Sequence, residues 1–467
     1  MKTTLRIFAA LLAVTAFLAI TIPAQLAAQK HDQDERKHNT HYSVTDLGTL
    51  GGPNSDSLIG AHVLNDRGTA VGGADTASPD LNYPNVNPLL GFPGYVTRPF
   101  IQHGFKWQEG VLTDLGALPG NNNSYANWVN ARGETVGASE NSSIDPLTGF
   151  PEVVAVAWKD GRTINLGTLG GYESEALAVN DKGQTVGFAT NATPDPLPFP
   201  FYFVEEALGT QTRAVLWENG AIRDLGTLGG PDAEAFFLND RGQVAGDSYT
   251  NSTINPATGL PTMHPFLWED GKMIDLGTLG GTLAGPNFIN DRGQVVGGSN
   301  LAGDAEGHAF LWDHGKLTDL GTLGGTFSNA TWINEGGEVI GVSTPLGDNA
   351  VLGFFWKDGV ITNIGSVDGD LCSFPRYINS HGQVVGLSNN CQSSFLHAFL
   401  WEDGLIVDLN TRIAPSSGIQ LADAYNINDR GEIFALLESS PLAICTLSSL
   451  SRVTTIAPAK KAATTIR

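Results

Sequence analysis

Four histidines open the same kind of segment. His103, His264, His308 and His397 each stand a few residues before a Trp, in copies of one recurring phrase. A four-histidine zinc centre would need all four rings within about 2.1 Å of one ion. Each belongs to a different copy, on a strand away from any common axis, so they read as strand-end hydrogen-bonding residues. The recurring Asp-Arg-Gly turns offer one carboxylate apiece, without the closely spaced Asp and Asn ligands of a calcium loop, and read as turn stabilisers. Cys372 and Cys391 flank one hairpin, nine and ten residues from His381. In an antiparallel pair that spacing sets them opposite each other, and an oxidising compartment would join them. Cys445 is expected as a buried free thiol. There is no Gly-x-Ser-x-Gly, no His-Glu-x-x-His, no phosphate loop with its Lys and no Ser-x-Asp-x-Gly-x-x-Trp box. No catalytic residue, metal ligand or cofactor is expected.

Binding chemistry is better represented. Four insertions, Asp75–Pro99, Glu140–Val153, Thr190–Thr212 and Ser248–Met263, share a phrase: Asn87-Pro88-Leu89-Leu90-Gly91-Phe92-Pro93 resembles Asp145-Pro146-Leu147-Thr148-Gly149-Phe150-Pro151. Proline limits the entropy of such loops. Tyr83, Phe92, Tyr95, Phe150, Phe199, Phe201, Tyr202 and Phe203 give them an aromatic surface suited to sugars or peptides, with nearby acids for polarity. The plainer alternative is that the loops pack on one another. Seven further aromatics, Trp107, Trp158, Trp217, Trp268, Trp312, Trp356 and Trp401, recur at one position and are expected to pack neighbouring units together. Trp128 and Trp332 read the same way.

The elements behind these residues follow from a repeat. The Asp-Leu-Gly element begins at Asp46, Asp114, Asn165, Asp224, Asp275, Asp319, Asn363 and Asp408, with spacings that settle at 44 residues once the insertions end. One period implies one architecture of equivalent units. Each unit alternates apolar and polar residues over four strands of five or six residues, with Gly at the tight turns. Four antiparallel strands in about 44 residues match a β-propeller blade. The Asn-turn-Gly hairpin occurs eight times, from Asn65 to Asn428, and the strand Trp seven times. We therefore expect an all-β propeller of eight blades, with seven as the alternative. The orphan strand Tyr42–Leu47 would complete the last blade, leaving no open edge, and Arg452–Ile456 competes for that place.

The segments His308-Ala309-Phe310-Leu311-Trp312 and His397-Ala398-Phe399-Leu400-Trp401, with Asp-Leu-Gly-Thr-Leu-Gly-Gly and Ile-Asn-Asp-Arg-Gly-Gln-Val-Val-Gly, resemble the extracellular repeats of the HAF family. The resemblance covers nearly all of 42–447 and implies an exported bacterial repeat protein, with no activity to carry over. The eighth copy departs most, with Phe434-Ala435 in place of Val-Gly.

The chain has 467 residues, 57 of them Gly, and a formal net charge of −22. Such an acidic balance argues against nucleic acid as a partner. Lys2 and Arg6 before an apolar run from Ile7 to Ile22 resemble a secretory signal over 1–28. Removing it brings the charge to −24 and leaves no integral membrane segment. A polar linker (29–41), one propeller domain (42–456) and a loose tail (457–467) follow. The expectation is a secreted protein, extracellular or held in a bacterial periplasm or at the cell surface. Its function reads as a non-catalytic binding module whose ligand, an extracellular glycan or protein, meets the long loops of blades 1–4. The alternatives are a polysaccharide hydrolase or lyase at the central mouth and a purely architectural envelope protein. Oligomeric state is not legible.

Overall fold

The computed structural model describes residues 41–453 apart from 59, 86, 88, 90–98, 121, 196, 198–207, 392–394, 415–417 and 440–443. The 1–28 segment, the linker up to residue 40 and the 457–467 tail lie outside the described residues. So do Phe92, Tyr95, Phe199, Phe201, Tyr202 and Phe203.

The described strands form eight antiparallel four-stranded units, numbered here as blades 1–8. Blade 1 is built of Gly51–Asp56, Ala70–Pro79, Phe100–Gln108 and Val111–Asp114. Blade 5 repeats that order with Gly280–Ile289, Val295–Leu301, Gly307–Asp313 and Lys316–Gly321. In blade 8, Leu421–Ile427, Ile433–Ser439 and Ile444–Val453 take His41–Asp46 as their fourth strand, with His41 opposite Val453 and Asp46 opposite Ser448. Arg452 thus belongs to the third strand of that blade rather than to a rival fourth. Single parallel bridges, Met263 to Leu283 and Gly307 to Phe327, link blades 4, 5 and 6 at their edges. The architecture is an all-β propeller.

Local chemistry explains the hairpins. Strands three and four are joined by two residues that both have positive φ, as at Asp270 (50°) with Gly271 (81°) and His314 (47°) with Gly315 (89°). That is the turn whose twist matches the flanking strands, and it selects Asp, Asn or His followed by Gly. The Gly that follows Val-Val on strand two has another cause. The inner strand bulges in blades 2–8, for instance between Pro286 and Phe288, and presses its backbone on strand two. A Cβ at Gly297 would lie 2.0 Å from the Gly285 carbonyl oxygen, and one at Gly187 would lie 1.9 Å from that of Glu175. Blade 8 carries Ala435 there, opposite Ala424 at the start of the bulge.

Blades bury their faces against one another. Trp158, Trp217, Trp268, Trp312 and Trp401 are buried, and Trp107 and Trp356 are partly so. Trp158 of blade 2 lies over Gly104 of blade 1, where a Cβ would come within 3.2 Å of its ring. Its indole N–H donates to the Gly116 carbonyl at 3.0 Å. Trp401 of blade 7 meets Phe355 of blade 6 with centroids 5.0 Å apart. No described helix is long and apolar enough to cross a membrane.

Candidate functional site

The inner strands of blades 2–8 run into the Asn of the turn, Asn65 of blade 1 follows the Leu64–Ala70 bridge, and each Asn is fully occupied. Asn290 Oδ1 accepts the backbone N–H groups of Arg292 and Gln294 at 3.1 and 3.0 Å. Its amide donates to Gln294 Oε1 at 2.8 Å and to the Asn334 carbonyl of the next blade at 3.1 Å. Only a side chain with both an acceptor and two donors can do this. The same interblade bond runs from Asn65 to Asn130, then through Asn180, Asn239, Asn290, Asn334, Asn379 and Asn428, at 2.8–3.1 Å. It returns from Asn428 to Asn65, so eight asparagines encircle the axis.

The next residue of each turn builds a second ring, different from the turn-stabilising role its carboxylate was expected to play. Asp181 accepts the backbone N–H of Ala131, Asp240 that of Asp181, Asp291 that of Asp240 and Glu335 that of Asp291. Asp429 accepts from Ser380 and Asp66 from Asp429. These bonds, 2.8–3.0 Å long, tie blade to blade and hold six carboxyl groups around the mouth. Ala131 and Ser380 are the two gaps. Arg67, Arg132, Lys182, Arg241, Arg292, His381 and Arg430 follow these positions and do not line the mouth.

Beneath the asparagines lies an aromatic floor. His62, Trp128, Phe237, Phe288, Trp332 and Tyr377 form a closed circuit with neighbouring centroids 3.7–6.3 Å apart. Trp128 and Trp332 come from opposite blades, 2 and 6, yet stack at 6.5 Å with planes 19° apart. The axis is therefore closed by side chains. Trp128 and Trp332 were expected between blades; the register places them on the axis instead, because the bulge turns the residue before Val or Ile inward.

Rim, asparagines and floor enclose a cup of about 310 Å³, at the small end of ligand cavities, which run from roughly 300 to 1,000 Å³. His62 Nδ1 donates to the Val129 carbonyl at 2.8 Å. Burial holds the His62 pKa below its ordinary value despite nearby Asp66 and Asp181, so the imidazole is neutral and Nε2 is an acceptor. Burial also pushes the Tyr377 hydroxyl up, keeping it protonated. Glu335 is raised by burial and by Asp291. Among the described residues no three or more His, Cys, Asp or Glu side chains are placed to hold a metal ion.

The insertions stand on the other face, where strand two turns into strand three. They continue those hairpins upward, with Ile144 opposite Pro151 and Ile254 opposite Pro261. Tyr83 is 43% exposed, beside exposed Leu81, and Phe150 is partly buried. The insertions also touch one another. Asn85 and Asn87 donate to the Gly149 and Pro151 carbonyls, and Leu89, Leu208 and Leu260 join one apolar cluster.

The insertion acids are spent inside these contacts rather than displayed. Asp80 accepts from Asn123, whose amide also reaches Glu140, at 3.0 and 3.1 Å. Asn87 reaches Glu173 at 3.0 Å, and Asp195 faces Asp232 closely enough to raise it. Burial first, then the neighbouring insertion aspartate, pushes Glu173 up to about 9 and Asp232 up to about 7.

The remaining candidates are structural. His103, His264 and His308 each bond the Asp eleven residues on, at 2.9–3.0 Å, and His397 bonds Asp370. They stay in separate blades. Cys372 and Cys391 are joined by a disulfide. The cup itself has no local signature, since a blade supplies at most one carboxylate and one ring. Its signal was the position of Trp128, Phe237, Phe288, Trp332 and Tyr377 two residues before each turn Asn.

The sequence matches no family model and no curated protein. Among solved structures it is similar to the β-propeller domain of the Trilobed protease from Pyrococcus furiosus. That match has 11% identity and a TM-score of 0.42 over 79% of this chain and 95% of the other. Pyrococcus horikoshii acylaminoacyl peptidase matches at 11% identity and 0.41, over 85% of this chain. Porphyromonas gingivalis dipeptidyl peptidase 4 matches at 8% and 0.44, over 73% of this chain. The chain spans 59% and 54% of those two enzymes. What is shared is the propeller.

Proposed function

We propose that this chain is an exported repeat protein of the HAF kind that works as a non-catalytic binding module, with the axial cup as its principal ligand seat. One observation carries the reading: a closed aromatic floor, Trp128 to Tyr377, lies under a ring of six carboxylates in a cavity large enough for one small molecule. The remainder of the ring is occupied in holding itself together. The loops of blades 1–4 form a second surface for a larger glycan or protein. Supporting it are Leu81, Tyr83, Ile144, Leu147 and Ile254, all exposed along one face.

The test is a glycan and cell-wall array probed with the mature protein, with the same panel assayed for turnover. Binding without turnover is expected, weakened by Trp332→Leu in the cup for small ligands. Joint Ala replacement of Phe92, Phe150 and Phe199 should weaken large ligands only. Turnover abolished by one acidic substitution at the mouth would overturn the reading in favour of a polysaccharide hydrolase or lyase.

A further inference from the structure

The cup's polar groups are of two kinds, stacked in depth. At the rim, Asp66, Asp181, Asp240, Asp291, Glu335 and Asp429 each give one oxygen to a backbone N–H of the neighbouring blade. Among the described residues none of the six forms an ion pair with Lys or Arg; Asp429 lies 3.8 Å from His381 Nδ1, and the more distant charges of Arg132, Arg241 and Arg292 offset Asp181, Asp240 and Glu335 only in part. Six like charges fixed around one axis repel one another, and a cation between them removes that repulsion. A bare metal ion does not suit the spacing, because the carboxylates stand around a mouth rather than meeting at a point.

The floor asks for something else. Trp128 and Trp332 are 7% and 2% exposed and line the cup, yet no described acceptor meets either indole N–H. Neither nitrogen is among the fully enclosed side-chain atoms that lack a partner, so both are open to the cup. An alkyl tip placed on this floor would leave both unpaired, whereas a hydroxyl or ether oxygen would satisfy them.

Resting on the reading of the cup as the ligand seat, we propose that it takes a small organic ammonium compound that also carries oxygen acceptors, of the amino-sugar or amino-alcohol kind. The ammonium lies among the rim carboxylates and the oxygen-bearing end reaches the indole N–H groups.

The experiment is calorimetric titration of the full chain with glucosamine, choline, glucose and N-acetylglucosamine at mildly acidic pH and low salt. At least tenfold tighter binding of glucosamine or choline than of the two neutral sugars is expected, and the tighter of the two identifies the source. The triple variant Asp181→Asn/Asp240→Asn/Asp291→Asn keeps every backbone acceptor and should erase that preference. Trp332→Phe keeps the ring and removes one N–H, and should weaken glucosamine severalfold; circular dichroism checks that both variants fold. Neutral sugars that bind as tightly as glucosamine, with Trp332→Phe still weakening them, would overturn the ammonium inference and leave the seat. Binding indifferent to both variants, or none in the millimolar range, would overturn the inference and the seat together.

Discussion

Asn428 donates its side-chain amide to the backbone carbonyl of Asn65, 3.0 Å away across 363 residues of sequence. The bond is chemically identical to its seven counterparts, but of the eight it is the one that joins the last blade to the first, beside the Asp429–Asp66 and Asn426–Ala61 bonds. The Asn428 amide also reaches Glu432 at 2.8 Å. Asn428→Asp deletes both donors and sets a carboxylate beside an acid and a carbonyl. A loss of about 3 kcal/mol or more at neutral pH is expected, read by urea unfolding. Hydrogen exchange should rise first at the seam between blades 8 and 1; loss spread evenly over all blades would count against the ring as the closing device.

The glycine of strand two is a packing requirement. Gly297→Ala puts a Cβ against the Gly285 carbonyl and should cost about 1–3 kcal/mol, as overpacked sites do. Blade 8 already accommodates Ala435, so Ala435→Gly should change stability by less than about 1 kcal/mol. Equal effects in the two blades would refute the argument.

Buried acids give stability a definite pH slope. Glu173, Glu175 and Asp232 titrate at about 9, 8 and 7, each raised first by burial. A folded-state pKa above the unfolded one means the folded protein binds protons more tightly. The contribution is therefore complete below the ordinary carboxyl pKa and is lost as pH rises through 7 to 9. The melting temperature should be higher near pH 5 than near pH 9, and Glu175→Gln should flatten the profile.

Glu234 and Asp247 face each other across one strand pair, and Glu234 Oε2 and Asp247 Oδ1 meet no described partner. Elsewhere the equivalent acid has a donor on the preceding blade: Asn127 for Glu175 and Arg376 for Asp423. Before Glu234 that position is Leu177. Glu234→Met should therefore raise stability at pH 8, by about 1 kcal/mol or more. A fall in thermal midpoint would show that the carboxyl has a stabilising partner.

Reducing the Cys372–Cys391 bridge frees a segment of sequence separation 19. A cost of about 3 kcal/mol is expected, and Cys372→Ser/Cys391→Ser should match the reduced protein.

The sequence alone determined the unit and its joints. Strand alternation, Asp-Gly and Asn-Asp-Arg-Gly turns and the Gly facing the bulge act within a few residues, so they are readable from spacing. The pairing of Cys372 with Cys391 was legible for the same reason. The tertiary structure decided what the turns build together. A lone aspartate or glutamate, or a lone aromatic, in one blade means nothing singly, and only a ring that brings residues hundreds apart around one axis makes them a rim and a floor. Position relative to the bulge sent Trp128 and Trp332 inward while Trp158 and Trp401 pack between blades. Burial, which no spacing records, turned the insertion acids from a display surface into the seams that anchor the loops.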